Sequence, residues 1–247
     1  MNANTQAKIA LVTGASRGIG AAVAKRLARD GFTVVVNYAG NAQAAESVVR
    51  DIESAGGQAI SAQGDVSKVS DVRRLFDTIE EVYGGMDVLV NNAGVMQLAP
   101  IAELTEADYD RLFDINAKGS FNTMREAAGR LRKGGRIVNF SSSVVGLLQP
   151  GYAAYAATKA AVEAATMVLA RELRGREITV NAIAPGPTAT DLFLNGKSDE
   201  LVDRLAKLSP LERLGTPEDI AAAVAFLVGP DGAWINGQVL RANGGVI

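Results

Sequence analysis

The chain has 247 residues, of which 48% are hydrophobic and 21% charged, and 27 acidic against 25 basic side chains leave a formal net charge of −2. These are the proportions of a globular protein long enough to bury a substantial core, and the charge balance gives no reason to expect nucleic acid or an anionic membrane as partner. Histidine and cysteine are both absent. That excludes imidazole and thiolate metal ligation, disulfides, cysteine nucleophiles and Ser-His-Asp catalysis, and no metal is expected.

In chain order, the opening MNANTQAKIALVTG lacks the basic and long apolar regions of a secretory signal, so a cytoplasmic location is expected. KIALVT (8–13) reads as a strand, and 18–30 carries helical periodicity. The strand candidates FTVVVN (32–37), QAISA (58–62) and MDVLVN (86–91) alternate with helical patterns over 41–56 and 68–84. Beyond them lie a helical pattern over 103–132, the strand GRIVNFS (135–141), a helical pattern over 152–174 and the strand EITVNAIA (177–184). Helical 216–229 and the strand GQVLR (237–241) complete the series. The apolar runs are strand-sized and far short of a membrane span. Most are continuously apolar, which implies a sheet covered on both faces. Alternation kept up over 1–247 without a linker predicts one Rossmann-type domain, a doubly wound parallel sheet of seven strands flanked by helices. The one irregular stretch, 186–215, follows a strand and, with Pro185 counted, holds three of the seven prolines. Ligands bind beyond the carboxyl ends of strands in such sheets, so this stretch is expected to be a substrate lid.

Two stretches carry chemistry. In VTGASRGIG, Gly14, Gly18 and Gly20 stand between the first strand and the first helix, with Ser16, Arg17 and Ile19 in the same loop. Glycines there permit a tight turn and close approach of backbone to a pyrophosphate, which the helix N-terminus attracts. Where NAD-binding sites place an Asp or Glu after the second strand, this chain has Asn37, Tyr38 and Ala39. No carboxylate repels a 2′-phosphate, and Arg17 is within reach as a charged donor unless it is simply a solvated loop residue. NADPH/NADP+ is therefore expected in preference to NADH. Further on, Tyr155 and Lys159 stand four apart on a helical pattern and share a face. A protonated lysine beside a phenol favours phenolate, and a phenol tuned in this way serves as general acid in reduction and general base in oxidation.

With TGASRGIG (13–20), GDV (64–66), NNAG (91–94), Asn116 in DINAKG, the serine of FSSSVVG (140–146), YAATK (155–159) and NAIAPGPTATD (181–191) in this order, the chain resembles a single-domain short-chain dehydrogenase/reductase over essentially its full length. The wording is nearest the 3-oxoacyl-[acyl-carrier-protein] reductase-like and carbonyl reductase branch. The resemblance implies that Tyr155 protonates the substrate carbonyl and that Ser142 hydrogen-bonds its oxygen, the thirteen-residue spacing selecting Ser142 over Ser141 and Ser143. It implies that Lys159 holds the nicotinamide ribose and lowers the Tyr155 pKa, and that Asn116 positions a relay water. Asp65 and Val66 would meet the adenine, Asn92, Ala93 and Gly94 would line the cofactor, and Pro185, Gly186 and Thr188 would hold its carboxamide end. Motif adjacency places Met96, Val144, Gln149, Tyr152, Phe193 and Leu194 around the substrate. Carrier-protein-dependent relatives use basic rim residues, which Arg176 matches and Lys133 matches approximately; the segment before GGRIVNF is shortened, which favours a small free ketone or aldehyde. The expected activity is therefore NADPH-dependent carbonyl reduction. A 3-oxoacyl-thioester reductase and an alcohol or sugar dehydrogenase working oxidatively are the alternatives. A non-enzymatic nucleotide sensor would have no need of the four polar residues 116, 142, 155 and 159. The resemblance also implies a homotetramer, built through the helices at 103–132 and 152–174 and through the C-terminal tail; sequence alone shows only an alanine-rich face on the second helix.

Overall fold

The computed structural model describes residues 7–247, so the leader reading, which rests partly on 1–6, falls in part outside the described residues. All seven apolar runs form strands. They are β1 (Ile9–Val12), β2 (Thr33–Tyr38), β3 (Gln58–Gln63), β4 (Met86–Asn91), β5 (Leu131–Phe140), β6 (Thr179–Pro185) and β7 (Val239–Ala242). They pair in parallel in the order β3-β2-β1-β4-β5-β6-β7. The order reverses between β1 and β4, the crevice where doubly wound sheets bind ligands.

Successive side chains leave a strand on opposite faces, and here both faces are covered. Val12, Val34, Val36, Val88 and Val90 pack under α1 (Gly18–Arg29), α2 (Ala42–Ser54) and the last long helix, Pro217–Val228. Ile9, Leu11, Val35, Leu89 and Ile137 pack on the other face under α3 (Val69–Tyr83) and two later helices, Gly119–Arg130 and Ala153–Glu172. This double burial is why the strands read as continuously apolar rather than alternating.

The structure revises two stretches. The pattern over 103–132 is not one helix. Thr105 accepts a hydrogen bond from Asp108 N and starts α4 (Glu106–Leu112), a wide π-turn follows over Phe113–Lys118, and α5 (Gly119–Arg130) resumes the helix. Gly119 sits where a Cβ would come within 2.7 Å of Val66 Cγ2. β5 then starts at Leu131, four residues earlier than expected. After it come α6 (Val144–Leu147) and α7 (Ala153–Glu172). The stretch 186–215 is not irregular throughout: it holds α8 (Asp191–Leu194) and α9 (Asp199–Ala206), capped by Thr190 and Ser198. A bridge between Thr188 and Gly215 ties its two ends together at the base. The helix α10 (Pro217–Val228) begins with a capping box between Thr216 and Asp219.

Candidate active site

The glycine loop leaves β1 with Gly14 at φ 62° and Gly18 at φ 56°, in the left-handed region that favours glycine. Gly20 needs its missing side chain for space: a Cβ would lie 2.5 Å from Asn92 Nδ2 and 2.6 Å from the Gly14 carbonyl oxygen. The loop is clamped from β4. Asn92 Nδ2 donates to the carbonyls of Thr13 (2.9 Å) and Gly14 (3.1 Å), while Asn92 N and Ala93 N both donate to Thr13 Oγ1 at 3.0 Å. From β2, Asn37 Oδ1 accepts from Gly14 N (3.3 Å) and Asn37 Nδ2 donates to the carbonyls of Ala62 and Gly64 (3.2 and 3.0 Å). The result is a rigid concave loop at the N-terminus of a twelve-residue helix with no acidic side chain in its first turn. Helix dipole and turn geometry favour an anion there, so the residues present fit a dinucleotide diphosphate.

Asn37 corrects the sequence reading. Its side chain is buried and its amide is taken up by three backbone groups, so it shapes the loop and does not face a ligand. Tyr38, at the end of β2, is half-buried, and Ala39 and Arg17 are exposed. Arg17 makes no ion pair among the described residues. Asp65 Oδ1 accepts from Ser67 N (3.0 Å) and Ser67 Oγ (2.7 Å) at the end of β3, and Val66 is packed beneath Gly119.

The candidate catalytic side chains meet where β5 ends and α7 passes over it. Three successive β5-end residues are each held by α7. Asn139 Nδ2 donates to Thr166 Oγ1 (2.9 Å), the Phe140 carbonyl accepts from Lys159 Nζ (2.8 Å), and Ser141 Oγ donates to Glu163 Oε1 (2.5 Å). Asn91, next in the sheet, continues this polar row through Asn139 (2.8 Å) and Thr123 (2.5 Å), all of it buried. Buried polar groups that find partners in this way fix one arrangement of the elements carrying them. Ser143 accepts from Asn243 Nδ2 (3.1 Å). Both neighbours of Ser142 are therefore engaged elsewhere, whereas the Ser142 hydroxyl accepts only a long bond from Val144 N (3.4 Å) and lines the same cleft as Tyr155.

Burial pushes the Tyr155 phenol up to about 12, and the nearby Ser142 hydroxyl opposes that rise. Burial also pushes the Lys159 ammonium, 5% exposed, down to about 8. The expectation that Lys159 lowers the Tyr155 pKa is thus corrected for the protein's own groups: desolvation dominates, and Lys159 Nζ is 5.7 Å from the phenol ring with its bond directed to Phe140. At neutral pH the arrangement holds a neutral phenol beside a protonated amine.

Asn116 lies in the π-turn and is fully buried. Its Oδ1 accepts from Val95 N (2.8 Å), and its Nδ2 donates to Val95 O (2.9 Å) and Thr158 Oγ1 (3.3 Å). It fixes the strand end at Gly94, where a Cβ would meet both Asn116 Oδ1 (3.2 Å) and Lys159 Nζ (3.6 Å). π-Turns often mark functional positions.

A cleft opens in front of Ser142 and Tyr155. It is lined by Ile19, Asn92 and Gly94 on the cofactor side, by Pro185, Gly186 and Thr188 at the end of β6, and by Met96, Val144, Gln149, Tyr152 and Phe193 on the substrate side. Leu194 is a correction: it is not in the lining, because α8 makes a single turn that presents Leu192 and Phe193 to the cleft. Leu147, Leu205 and Leu208 extend the apolar wall. Gly14, Ser16, Arg17, Gly18, Gly20, Tyr38, Ala39, Asp65, Val66 and Ala93 lie outside this cleft, on loops and strand ends at the same carboxyl edge of the sheet.

The carrier-protein residues stand elsewhere. Lys133 pairs with Glu177 at 2.9 Å near the start of β5. It lies in the irregular first part of β5, before the regular pairing of Arg136–Phe140 begins, and so at the opposite end of the strand from Phe140. Arg176 donates to the carbonyls of Ala128 and Leu131, joining α5 to β5. Sequence reasoning missed Thr13 and the Ser141–Glu163 pair. Glu163 falls four residues after Lys159, so the helical spacing that paired Tyr155 with Lys159 would have found it.

A Rossmann-type sheet with a glycine cradle after β1 and a Ser-Tyr-Lys cluster beyond β5 on the same carboxyl edge is the arrangement of an oxidoreductase class. The chain belongs to the short-chain dehydrogenase/reductase family. Residues 14–247 match the family described as enoyl-(acyl carrier protein) reductase. A short-chain type dehydrogenase/reductase of Picea abies is 47% identical, the match covering 97% of this chain and 92% of the relative. An Arabidopsis thaliana NADPH-dependent aldehyde reductase-like protein, chloroplastic, is 42% identical over 97% and 94%. A Burkholderia cenocepacia short-chain dehydrogenase solved in complex with NADP is 41% identical over 98% and 99%, with a TM-score of 0.92.

Proposed function

We propose that the protein is an NADPH-dependent carbonyl reductase that converts a ketone or aldehyde to the alcohol, a reaction of the alcohol-donor dehydrogenase class. The observation that carries the reading is a single cleft whose lining holds Ser142, Tyr155 and buried Lys159 together with Ile19 and Asn92 beside the glycine loop. Bound NADPH supplies the hydride that reaches the carbonyl carbon. Ser142 donates a hydrogen bond to the carbonyl oxygen and orients it. Tyr155 delivers its proton to that oxygen, and its phenolate is reprotonated from solvent. Burial keeps the Tyr155 phenol protonated and so able to donate to the carbonyl oxygen. Gly14, Gly18 and Gly20 receive the diphosphate, Arg17 the 2′-phosphate, and Pro185, Gly186 and Thr188 the carboxamide end. The positions of Lys133 and Arg176, engaged away from the cleft, favour a small free carbonyl compound over a carrier-bound thioester.

No described helix is long and apolar enough to cross a membrane, in keeping with a cytoplasmic location. Assembly as a homotetramer is part of the same reading; the exposed apolar side chains Met167 and Val168 of α7 and Phe121 of α5 support it.

The test is NADPH consumption across a panel of aldehydes, aryl ketones, diketones and acyl thioesters. Tyr155→Phe should lower kcat by at least about 100-fold while leaving NADPH affinity close to wild type. A variant that reduces a good ketone at the wild-type rate refutes the mechanism.

A further inference from the structure

The cleft contains more hydrogen-bonding capacity than carbonyl reduction requires. Ser142 and Tyr155 serve the reacting oxygen. Tyr152 lines the same cleft, and its hydroxyl makes no hydrogen bond among the described residues and is not a buried orphan, so it is accessible and free to bond a ligand. Its backbone is held on both sides. Tyr152 N donates to Gln149 O (3.2 Å), its carbonyl accepts from Ala156 N (2.8 Å), and Ala99 N donates to Gly151 O (3.0 Å). Gly151, at φ 83°, makes the turn that delivers Tyr152 to the N-cap of α7. The phenol is therefore mounted on a fixed turn. Tyr152 stands at the N-cap of α7, three residues before Tyr155, and both phenols line the one cleft. Burial raises the Tyr152 pKa, so it is a neutral donor over the working pH range, and it lies near enough to act on Tyr155. The opposite wall is apolar: Leu192 and Phe193 of α8, with Leu205 and Leu208 from the rest of the lid.

We propose that Tyr152 is a specificity-determining residue that donates a hydrogen bond to a second oxygen of the substrate, so that the preferred substrates are bulky apolar ketones carrying a hydroxyl or carbonyl one or two carbons from the reacting carbonyl. This rests on the carbonyl-reductase reading above. The shared lining sets the class: two phenols of one cleft, three residues apart, suit two oxygens close together on one substrate, and the apolar residues of the same lining cover the remainder. A site built to hydrogen-bond a substrate oxygen discriminates against the analogue lacking it, because the donor is left unpaired in a desolvated complex.

The experiment measures kcat/KM with NADPH for two matched pairs, 2-hydroxyacetophenone against acetophenone and 3-hydroxy-1-phenylpropan-1-one against propiophenone. Wild type and Tyr152→Phe are compared. The readout is the preference ratio within each pair, so intrinsic ketone reactivity and any general loss in the variant both cancel. The wild type should prefer the oxygenated member of at least one pair, and Tyr152→Phe should reduce that preference by about tenfold or more, mainly through KM. Tyr152→Leu, which also lacks the hydroxyl, should give the same collapsed ratio and guards against a folding artefact in one variant. Equal ratios in wild type and both variants overturn the proposal while leaving carbonyl reduction standing. Absence of turnover of all four ketones by the wild type overturns the reductase reading itself, and this proposal with it.

Discussion

Lys159 should destabilise the protein it serves. Its side chain is 5% exposed, its one hydrogen bond is to a neutral carbonyl, and burial takes its pKa from the usual 10.5 to about 8. The folded-state value is the lower one, so the unfolded chain binds the extra proton between pH about 8 and 10.5, and stability from this group rises with pH through that window. Below it the penalty is complete: at pH 7 protonated Lys159 costs on the order of 3 kcal/mol, and more than half of that is gone by pH 9.5. Lys159→Met fills similar volume without the charge but leaves the Phe140 carbonyl unpaired, a loss of about 1–3 kcal/mol that does not change with pH. The variant should therefore be as stable as wild type or more stable at pH 7, and inactive. Its stability relative to wild type should fall by about 1.5–2 kcal/mol between pH 7 and pH 9.5. Urea unfolding of both proteins at the two pH values measures this. A difference that does not change with pH would show that the buried ammonium carries no such penalty, and would undo the account of Lys159 as a charge kept for function.

Three further outcomes follow from the site. Gly20→Ala puts a methyl group about where Asn92 Nδ2 and the Gly14 carbonyl now sit, so it should weaken NADPH binding at least tenfold, as read by titration of cofactor fluorescence; unchanged affinity would mean the loop yields. Arg17→Ala should weaken NADPH far more than NADH, and equal losses would remove the 2′-phosphate role. Glu163→Ala takes the acceptor from Ser141 and should lower kcat by about tenfold with NADPH affinity retained, whereas Glu163→Gln, which keeps an acceptor oxygen, should recover most of the rate. If both variants lose the same activity, the hydrogen bond is not what positions Ser142.

The sheet was legible in the sequence because double burial writes a strand as an unbroken apolar run, as in TVVVNY of β2 and MDVLVN of β4. The glycine loop was legible because Gly14 and Gly18 need positive φ and Gly20 needs an absent Cβ, requirements that act on residue identity directly. Helical spacing alone put Tyr155 and Lys159 on one face.

What tertiary structure decided was direction and environment. Asn37 looked like a ligand-facing residue and proved to be a buried clamp, since a strand-end side chain can turn toward the ligand or toward the neighbouring loop, and only packing chooses. Spacing selected Ser142 among three serines, but the physical reason appears only when Glu163 and Asn243 are seen to engage its neighbours. Leu194 gave way to Leu192 because a one-turn helix has too little periodicity to read. The proton chemistry shows the same division. Sequence proximity suggested that a lysine would acidify the tyrosine, whereas desolvation, set by everything packed around α7, moves both groups toward neutrality. The sequence by itself determined which residues carry the chemistry and where along the chain they stand. The fold determined which atoms face the cleft and how strongly each proton is held, because burial and hydrogen-bond partners are properties of the assembled neighbourhood and not of any one stretch of chain.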